Sequence, residues 1–189
     1  MNLDLKTERL LIRPFAAADL DIALELFTNP DVCRYAGGVE SVEKINCEMS
    51  NWVRRGGNGC IGIWTITDRN TGEKHGSIAL LPLPVEEDDT DFSLVVPGQV
   101  PENDIEIGYF LKPVSWGKGI ASEACKRILR FAFEEGQLEE VVATFEEENS
   151  ASRNVLLKAG FSDHGYRRSY GEDGTDFRIT RAEWLATQK

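Results

Sequence analysis

Two spacings of apolar residues alternate along the chain, and together they predict where strands and helices lie. Short apolar runs rich in β-branched and aromatic residues predict strands, whereas apolar residues three or four positions apart predict helices. The predicted strands span residues 3–15, 60–67, 75–81, 105–111, 141–145, 166–170 and 176–180, with a turn at 171–174. The predicted helices span residues 19–28, 41–54, about 120–135, 150–160 and 181–187. This alternation indicates one α/β domain that covers residues 1–189.

The segment from residue 84 to residue 104 interrupts the alternation. It is long for a connection in a compact domain, and loops of this length without secondary structure are usually functional or disordered. Its acidic residues are Glu86, Glu87, Asp88, Asp89, Asp91, Glu102 and Asp104. Two interpretations of this acidic loop insertion stay open: a solvated surface loop, or a lid that attracts a cationic amine.

Composition narrows the class of protein. The formal net charge of −11 argues against nucleic acid or an anionic membrane as the main partner. No apolar run approaches the roughly 20 residues that span a bilayer, and residues 1–5 lack the order of a signal peptide. The four cysteines are scattered, which predicts reduced thiols in a cytoplasmic protein. With only two histidines, the sequence predicts no metal site.

The most informative stretch joins the strand at 105–111 to the helix that begins at Ile120. Between them lies Gly117-Lys118-Gly119. Glycine permits positive φ and lets an anion approach the backbone closely. The following helix offers unpaired N–H groups and the positive end of its dipole. The stretch therefore predicts a phosphate or pyrophosphate site, with a glycine-rich turn that binds no ligand as the alternative.

Two familiar phosphate loops do not fit this stretch. A Walker A loop requires Ser or Thr after its Gly-Lys pair, and here Gly119 follows Lys118. A dinucleotide fingerprint requires a third small residue, for which Ser122 is a poor match, and an acidic residue that closes the next strand. The pattern therefore argues against a nucleotide-dependent phosphotransferase.

Three motifs resemble those of the GCN5-related N-acetyltransferase (GNAT) superfamily. The loop Trp116-x-x-Gly119-x-Ala121 resembles motif A, which in the family cradles the pyrophosphate of acetyl-coenzyme A (acetyl-CoA). A second stretch resembles motif B, and its matching residues are Asn149, Ser152, Lys158, Gly160 and Phe161. The opening residues 7–14, and tryptophan at the first motif A position, resemble the ribosomal-protein alanine N-acetyltransferase branch.

The resemblance implies a fold and an activity. The implied fold is α/β (α+β), with a mixed, mostly antiparallel sheet of about six or seven strands, splayed at the fourth strand and flanked by about four helices. The implied activity is transfer of an acetyl group from acetyl-CoA to a primary amine, without a metal. The acceptor is a protein or peptide N-terminus or a small amine, and the protein is a monomer or homodimer. A non-catalytic acyl-CoA sensor is the alternative.

The resemblance also implies the residues of the site. Those expected to bind acetyl-CoA are Phe110, Leu111, Trp116, Gly117, Lys118, Gly119, Ile120, Ala121, Ser122, Asn149, Ser152 and Asn154. Glu106, an acid inside an apolar strand, is the expected general base, because burial would raise its pKa toward neutrality. A carboxylate that only holds a loop or the substrate is the alternative, and Asp104 is a weaker candidate base. Leu156-Leu157 replaces the Leu-Tyr pair with which many members protonate the thiolate, so Ser152 is the candidate proton donor by position. A hydrogen bond from Ser152 to the start of the helix or to the cofactor is the alternative.

Overall fold

The computed structural model describes residues 2–188, and within them one eight-stranded sheet carries five α-helices. The strands are β1 (Leu5–Lys6), β2 (Leu10–Pro14), β3 (Gly62–Asp68), β4 (Lys74–Pro82), β5 (Ile105–Leu111), β6 (Glu140–Ala143), β7 (Ser162–Ser169) and β8 (Glu172–Thr180). The helices are α1 (Leu20–Phe27), α2 (Val42–Trp52), α3 (Ile120–Glu134), α4 (Ser150–Ala159) and α5 (Arg181–Ala186). The predicted fold class is confirmed, with slightly more strands and helices than expected.

The sheet is antiparallel except at one junction. Its strand order is β1-β2-β3-β4-β5-β6-β8-β7, and β5 and β6 are parallel neighbours. These two strands share a single residue pair, Glu106 with Val142, whereas β4 and β5 pair along seven residues. Beyond Glu106 the strands β5 and β6 therefore diverge, which leaves a gap in the sheet at the place where the splay was expected.

The helices cover the two faces of the sheet separately. Ile105 and Ile107 of β5 belong to the larger core, together with buried residues of α3, α4 and α5. Phe110 points to the opposite face, where it packs against the smaller core of α1 and α2. Because side chains alternate along a strand, Glu106 lies on the same face as Phe110.

Two predicted strand boundaries are corrected by the structure. The strand predicted at 3–15 is divided into β1 and β2, because Thr7 turns the chain and its hydroxyl accepts a hydrogen bond from the Leu10 amide at 2.8 Å. The last hairpin turns at Tyr170-Gly171 rather than at 171–174, since Ser169 pairs with Glu172. Both turn residues have positive φ, 52° and 71°, as a tight two-residue hairpin requires.

The acidic segment 84–104 is attached to the fold at several points. Phe92, in a short 3-10 turn, and Val95 are buried in the larger core. Glu86 forms an ion pair with Arg168 of β7 at 2.9 Å. The segment is thus packed on the terminal hairpin, although most of its acidic side chains are exposed. Within residues 2–188, no helix is both long and apolar enough to cross a membrane.

Candidate active site

The loop between β5 and α3 holds its two glycines in left-handed conformations. Gly117 has φ of 69°, and Gly119, which caps the N-terminus of α3, has φ of 76°. A Cβ atom placed on Gly117 would meet no other atom within 4 Å, so the space in front of this loop is open. Glycine is therefore needed here for the backbone conformation, which residues other than glycine rarely adopt.

A run of unpaired backbone donors lies beside that open space. The amides of residues 117–122 form no hydrogen bond with any acceptor in residues 2–188, and no side chain caps the start of α3. These six consecutive N–H groups lie at the positive end of a 15-residue helix. Unpaired amides at a helix N-terminus are suited to binding phosphate groups.

The turn between β1 and β2 braces this loop. Arg9 donates to the carbonyl oxygen of Lys118 at 2.9 Å and to the Glu123 carboxylate at 2.7 Å. Thr7 also donates to Glu123, at 2.5 Å. Although burial acts to raise it, these hydrogen bonds lower the pKa of Glu123, so the carboxylate stays charged. Arg9 therefore holds the glycine loop, and Thr7 helps to hold Glu123 at the start of α3. No local pattern indicates these roles, because more than 100 residues separate the partners.

The aromatic side chains near the loop have structural contacts of their own. The indole N–H of Trp116 donates to the carbonyl oxygen of Leu111 at 2.8 Å, which braces the turn between strand and loop. Phe110 packs on Phe27 with ring centroids 5.0 Å apart. The side chains of Phe110 and Leu111 point to opposite faces of the sheet. Only the backbone of these two residues therefore lies along the gap between β5 and β6.

The N-terminus of α4 lies beside the same gap. The Asn149 side chain accepts a hydrogen bond from the Ser152 amide at 3.1 Å, which caps the helix. Tyr109 of β5 donates to the Ser152 carbonyl oxygen at 3.3 Å. The structure therefore brings Asn149 and Ser152 next to β5, whereas Asn154 lies on an exposed part of α4.

Glu106 lies at the point where β5 and β6 diverge. Its carboxylate accepts hydrogen bonds from the Thr144 hydroxyl at 2.8 Å, the Thr144 amide at 3.2 Å and the Tyr170 hydroxyl at 2.5 Å. Burial raises the pKa of Glu106 above its ordinary value, although these hydrogen bonds act in the opposite direction. Asp104, in contrast, is exposed and forms an ion pair with Arg167.

Comparison with known proteins identifies the architecture. A family model described as an acetyltransferase (GNAT) domain matches residues 9–162, most of the chain. The chain belongs to the GNAT family. It is accordingly an acetyl-CoA-dependent N-acetyltransferase by class.

The GNAT relatives agree with this assignment over most of their length. The chain is 28% identical to the N-acetyltransferase YoaA of Bacillus subtilis, covering 92% of this chain and 91% of YoaA. It is 28% identical to the FsC-acetyl coenzyme A-N(2)-transacetylase of Aspergillus fumigatus, covering 98% and 79%. The spermidine N-acetyltransferase of Vibrio cholerae, solved in complex with CoA and spermine, has the same fold, with a TM-score of 0.71 at 16% identity and coverage of 95% and 99%.

Four residues that contact the candidate site were not singled out from the sequence. Thr144 and Tyr170 contact Glu106, Tyr109 contacts α4, and Arg9 holds the glycine loop. For Tyr170 the only sequence signal is its position before Gly171, and glycine favours a turn. The other three lie in or beside regular strands, where local patterns do not reveal long-range partners.

Proposed function

We propose that this GNAT chain transfers the acetyl group of acetyl-CoA to a primary amine at the gap between β5 and β6, with Glu106 as the general base. The observation that carries the proposal is the row of six unpaired amides, 117–122, next to the diverging strands. The amides lie at one end of the gap, and Glu106 lies at its vertex. Anion binding and proton removal are thereby combined in one cleft.

The residues present fit acetyl-CoA. The amides of 117–122 would hold its pyrophosphate, and the open space at Gly117 leaves room for a phosphate close to the backbone. The unpaired edge of β5 beyond Glu106 would bind the pantetheine amides and orient the thioester. When bound, acetyl-CoA supplies an activated acetyl group. The side chains of Asn149 and Ser152, at the start of α4, would line the pantetheine from the other side.

Glu106 is suited to accept a proton at neutral pH. Its raised pKa brings it closer to the working range than an exposed glutamate, whose pKa is about 4.3. The leaving thiolate needs less protonation than the amine needs deprotonation, because a thiol has a pKa of about 8.5 and its anion is a good leaving group. A hydrogen bond from the Ser152 hydroxyl, which has no acceptor within residues 2–188, would be sufficient to stabilise the developing charge on sulfur.

The proposed acceptor is an α-amine, such as a protein or peptide N-terminus. The resemblance of residues 7–14 and Trp116 to the ribosomal-protein alanine N-acetyltransferase branch supports it. Chemistry is consistent with it, since an α-amine has a pKa near 8 and a lysine side chain one of about 10.4. A small cationic amine is the second candidate, supported by the exposed acidic residues of 84–104 and by the spermidine substrate in the name of the Vibrio cholerae relative.

Thiol release from acetyl-CoA tests both proposals. The acceptors are a peptide with a free N-terminus, the same peptide with a blocked N-terminus and one lysine, and spermidine. We expect the free N-terminus to be acetylated fastest. Faster reaction of the lysine peptide or of spermidine would reject the α-amine, and no thiol release with any amine would favour a sensor. Gly119→Val is the control, because it would abolish positive φ at the loop and weaken CoA binding.

A further inference from the structure

We propose that Tyr170 is the proton relay through which an acceptor amine reaches Glu106, an inference that rests on the function proposed above. The Tyr170 hydroxyl would accept a proton from the amine while it passes its own proton to the Glu106 carboxylate. Tyr170 is thus a catalytic residue in contact with the substrate, and Glu106 is the proton store behind it.

The contacts of the Glu106 carboxylate support a proton path from the amine through Tyr170 to Glu106. Thr144 occupies one oxygen of Glu106 with two hydrogen bonds, and Tyr170 donates to the other oxygen at 2.5 Å. Glu106 is 9% exposed, whereas Tyr170 is 36% exposed. Tyr170 is therefore the more exposed residue of the pair, although its hydroxyl is buried against Glu106, and the relay requires the amine to approach Glu106 from the Tyr170 side.

The backbone of Tyr170 adopts an unfavourable conformation for its residue type. Its φ of 52° lies in the left-handed region, and the first position of such a hairpin turn normally carries asparagine, aspartate or glycine. The amides of Tyr170 and Gly171 donate to the carbonyl oxygens of Pro84 and Val85 at 3.3 and 3.0 Å. The acidic segment thus holds the turn in place. Strain of this kind is concentrated at functional sites, and here it places the phenol on Glu106.

Burial and the surrounding charges keep the phenol neutral. Burial raises the pKa of Tyr170 well above its ordinary value, and the nearby charges of Glu106 and Asp89 act in the same direction. Thr90, also near the phenol, acts weakly in the opposite direction. Arg167 is the charged residue that acts on Glu106, and its guanidinium is paired with Asp104 and Asp176. Tyr170 therefore conducts a proton without holding a charge.

The protons balance along this route. An acceptor ammonium group carries three protons, and the amide product carries one. The first proton leaves through Tyr170 to Glu106, which gives a neutral amine and a protonated carboxyl group. The amine nitrogen then bonds to the acetyl carbon as the carbon–sulfur bond breaks, and the second proton goes to the thiolate. Glu106 returns its proton to water through Tyr170, whose hydroxyl is regenerated at every step.

A double-mutant cycle tests the relay. Glu106→Gln, Tyr170→Phe and the double variant are compared in kcat at saturating acetyl-CoA, with CoA affinity measured alongside. If Tyr170 and Glu106 act in one proton path, each single variant loses about a hundredfold in kcat. The double variant then loses no more than about threefold beyond either single one, because groups that act as a unit are not additive. The CoA affinity stays the same in all three.

Matched variants separate the relay from a structural role. Tyr166→Phe is the control, because Tyr166 lies on the same hairpin, is exposed and donates its hydroxyl to Glu147 at 3.3 Å. It keeps the parent rate. Tyr170→Asn suits the positive φ and keeps the turn while it removes the phenol, so we expect the same hundredfold loss of kcat.

Three outcomes would overturn the proposal. A Tyr170→Phe or Tyr170→Asn rate within about threefold of the parent overturns the relay alone, since an active parent upholds the proposed function. Multiplicative losses in the double variant would likewise show two independent roles and overturn the relay. A parent that releases no thiol with any amine overturns the proposed function and the relay together.

Discussion

Asp19 and Glu106 are both carboxylates inside this fold, yet the groups around them differ in charge. Asp19, just before α1, accepts two hydrogen bonds of 2.7 Å from Arg13 and forms an ion pair with Lys74 at 2.9 Å. Glu106 accepts hydrogen bonds from neutral donors alone, Thr144 and Tyr170, within residues 2–188. Asp19 is fully buried, and Glu106 is nearly so.

The charge of the neighbours decides the direction in which the pKa of each group is shifted. Burial on its own raises the pKa of both. At Asp19 the hydrogen bonds from Arg13, Lys74 and Thr65 outweigh burial and hold the pKa far below its ordinary value. At Glu106 the neutral donors do not outweigh burial, and the pKa stays raised. A buried carboxylate that is hydrogen-bonded to cations is thus a structural anion, whereas one that is hydrogen-bonded to neutral donors alone is able to exchange a proton.

The largest expected effect is on stability, at Asp19. Asp19→Asn removes the anion between Arg13 and Lys74 and should lower the free energy of unfolding by about 3 kcal/mol, measured by urea denaturation. Asp21→Asn is the control, because Asp21 is exposed and pairs with the same Lys74 at 2.5 Å. Its loss should stay within about 1 kcal/mol. Equal losses of unfolding free energy in Asp19→Asn and Asp21→Asn would show that burial of the Asp19 ion pair adds nothing to its contribution.

The next effect is on turnover, at Glu106. Glu106→Gln should lower kcat by about a hundredfold, the usual scale for loss of a general base. CoA affinity should change little, because Glu106 lies away from the loop amides. The parent rate should rise with pH as Glu106 loses its proton, and this limb should be absent in the variant. Asp104→Asn, two residues away, should keep the parent rate; a large loss there would make Asp104 the base.

The smallest expected effect is on the pH dependence of stability, which should have opposite signs for Glu106 and Asp19. A raised folded-state pKa means that ionisation of Glu106 costs stability above about pH 4.3, its unfolded value. Glu106→Gln should therefore melt at a higher temperature than the parent at pH 8 and at the same temperature at pH 4. The depressed pKa of Asp19 means that Asp19 stabilises the parent above about pH 3.9 and that this contribution is lost as pH falls further.

Melting curves of Asp19→Asn provide the matched comparison. This variant should melt below the parent at pH 8, and its deficit should narrow only as pH falls below about 4. If both variants shifted in the same direction at pH 8, burial alone would govern the two carboxylates and the neighbouring charges would not matter.

The sequence predicted the local elements around the site well. β5 has the predicted bounds Ile105–Leu111, and α3 begins at the predicted Ile120. Both depend on local signals: β-branched and aromatic residues in the strand, a proline after it, and apolar residues at helical spacing. The glycine loop was likewise found where predicted, because positive φ is a property of a few adjacent residues.

The partners of these elements could not be predicted from local patterns. Asp19 looked like the first residue of a helix, but its side chain bonds Arg13 and Thr65, the latter 46 residues away. Likewise, Arg9 looked only like a family marker, and no periodicity relates it to Lys118. Whether Glu106 faces cations or neutral hydroxyls depends on how β6 and the last hairpin pack. That information lies in the tertiary fold, which a strand pattern does not contain.

The gap beside Glu106 has a consequence for how the chain folds. The hydrogen bonds to Glu106 come from residues 38 and 64 positions later in the chain, Thr144 and Tyr170. Contacts of such long separation form late, after the entropy of closing large loops has been overcome. During synthesis β5 leaves the ribosome before either partner exists, so Glu106 begins as an ordinary solvated acid. It acquires its altered acidity only when the last hairpin docks, and the basicity of this one group is therefore a sensitive indicator that folding is complete.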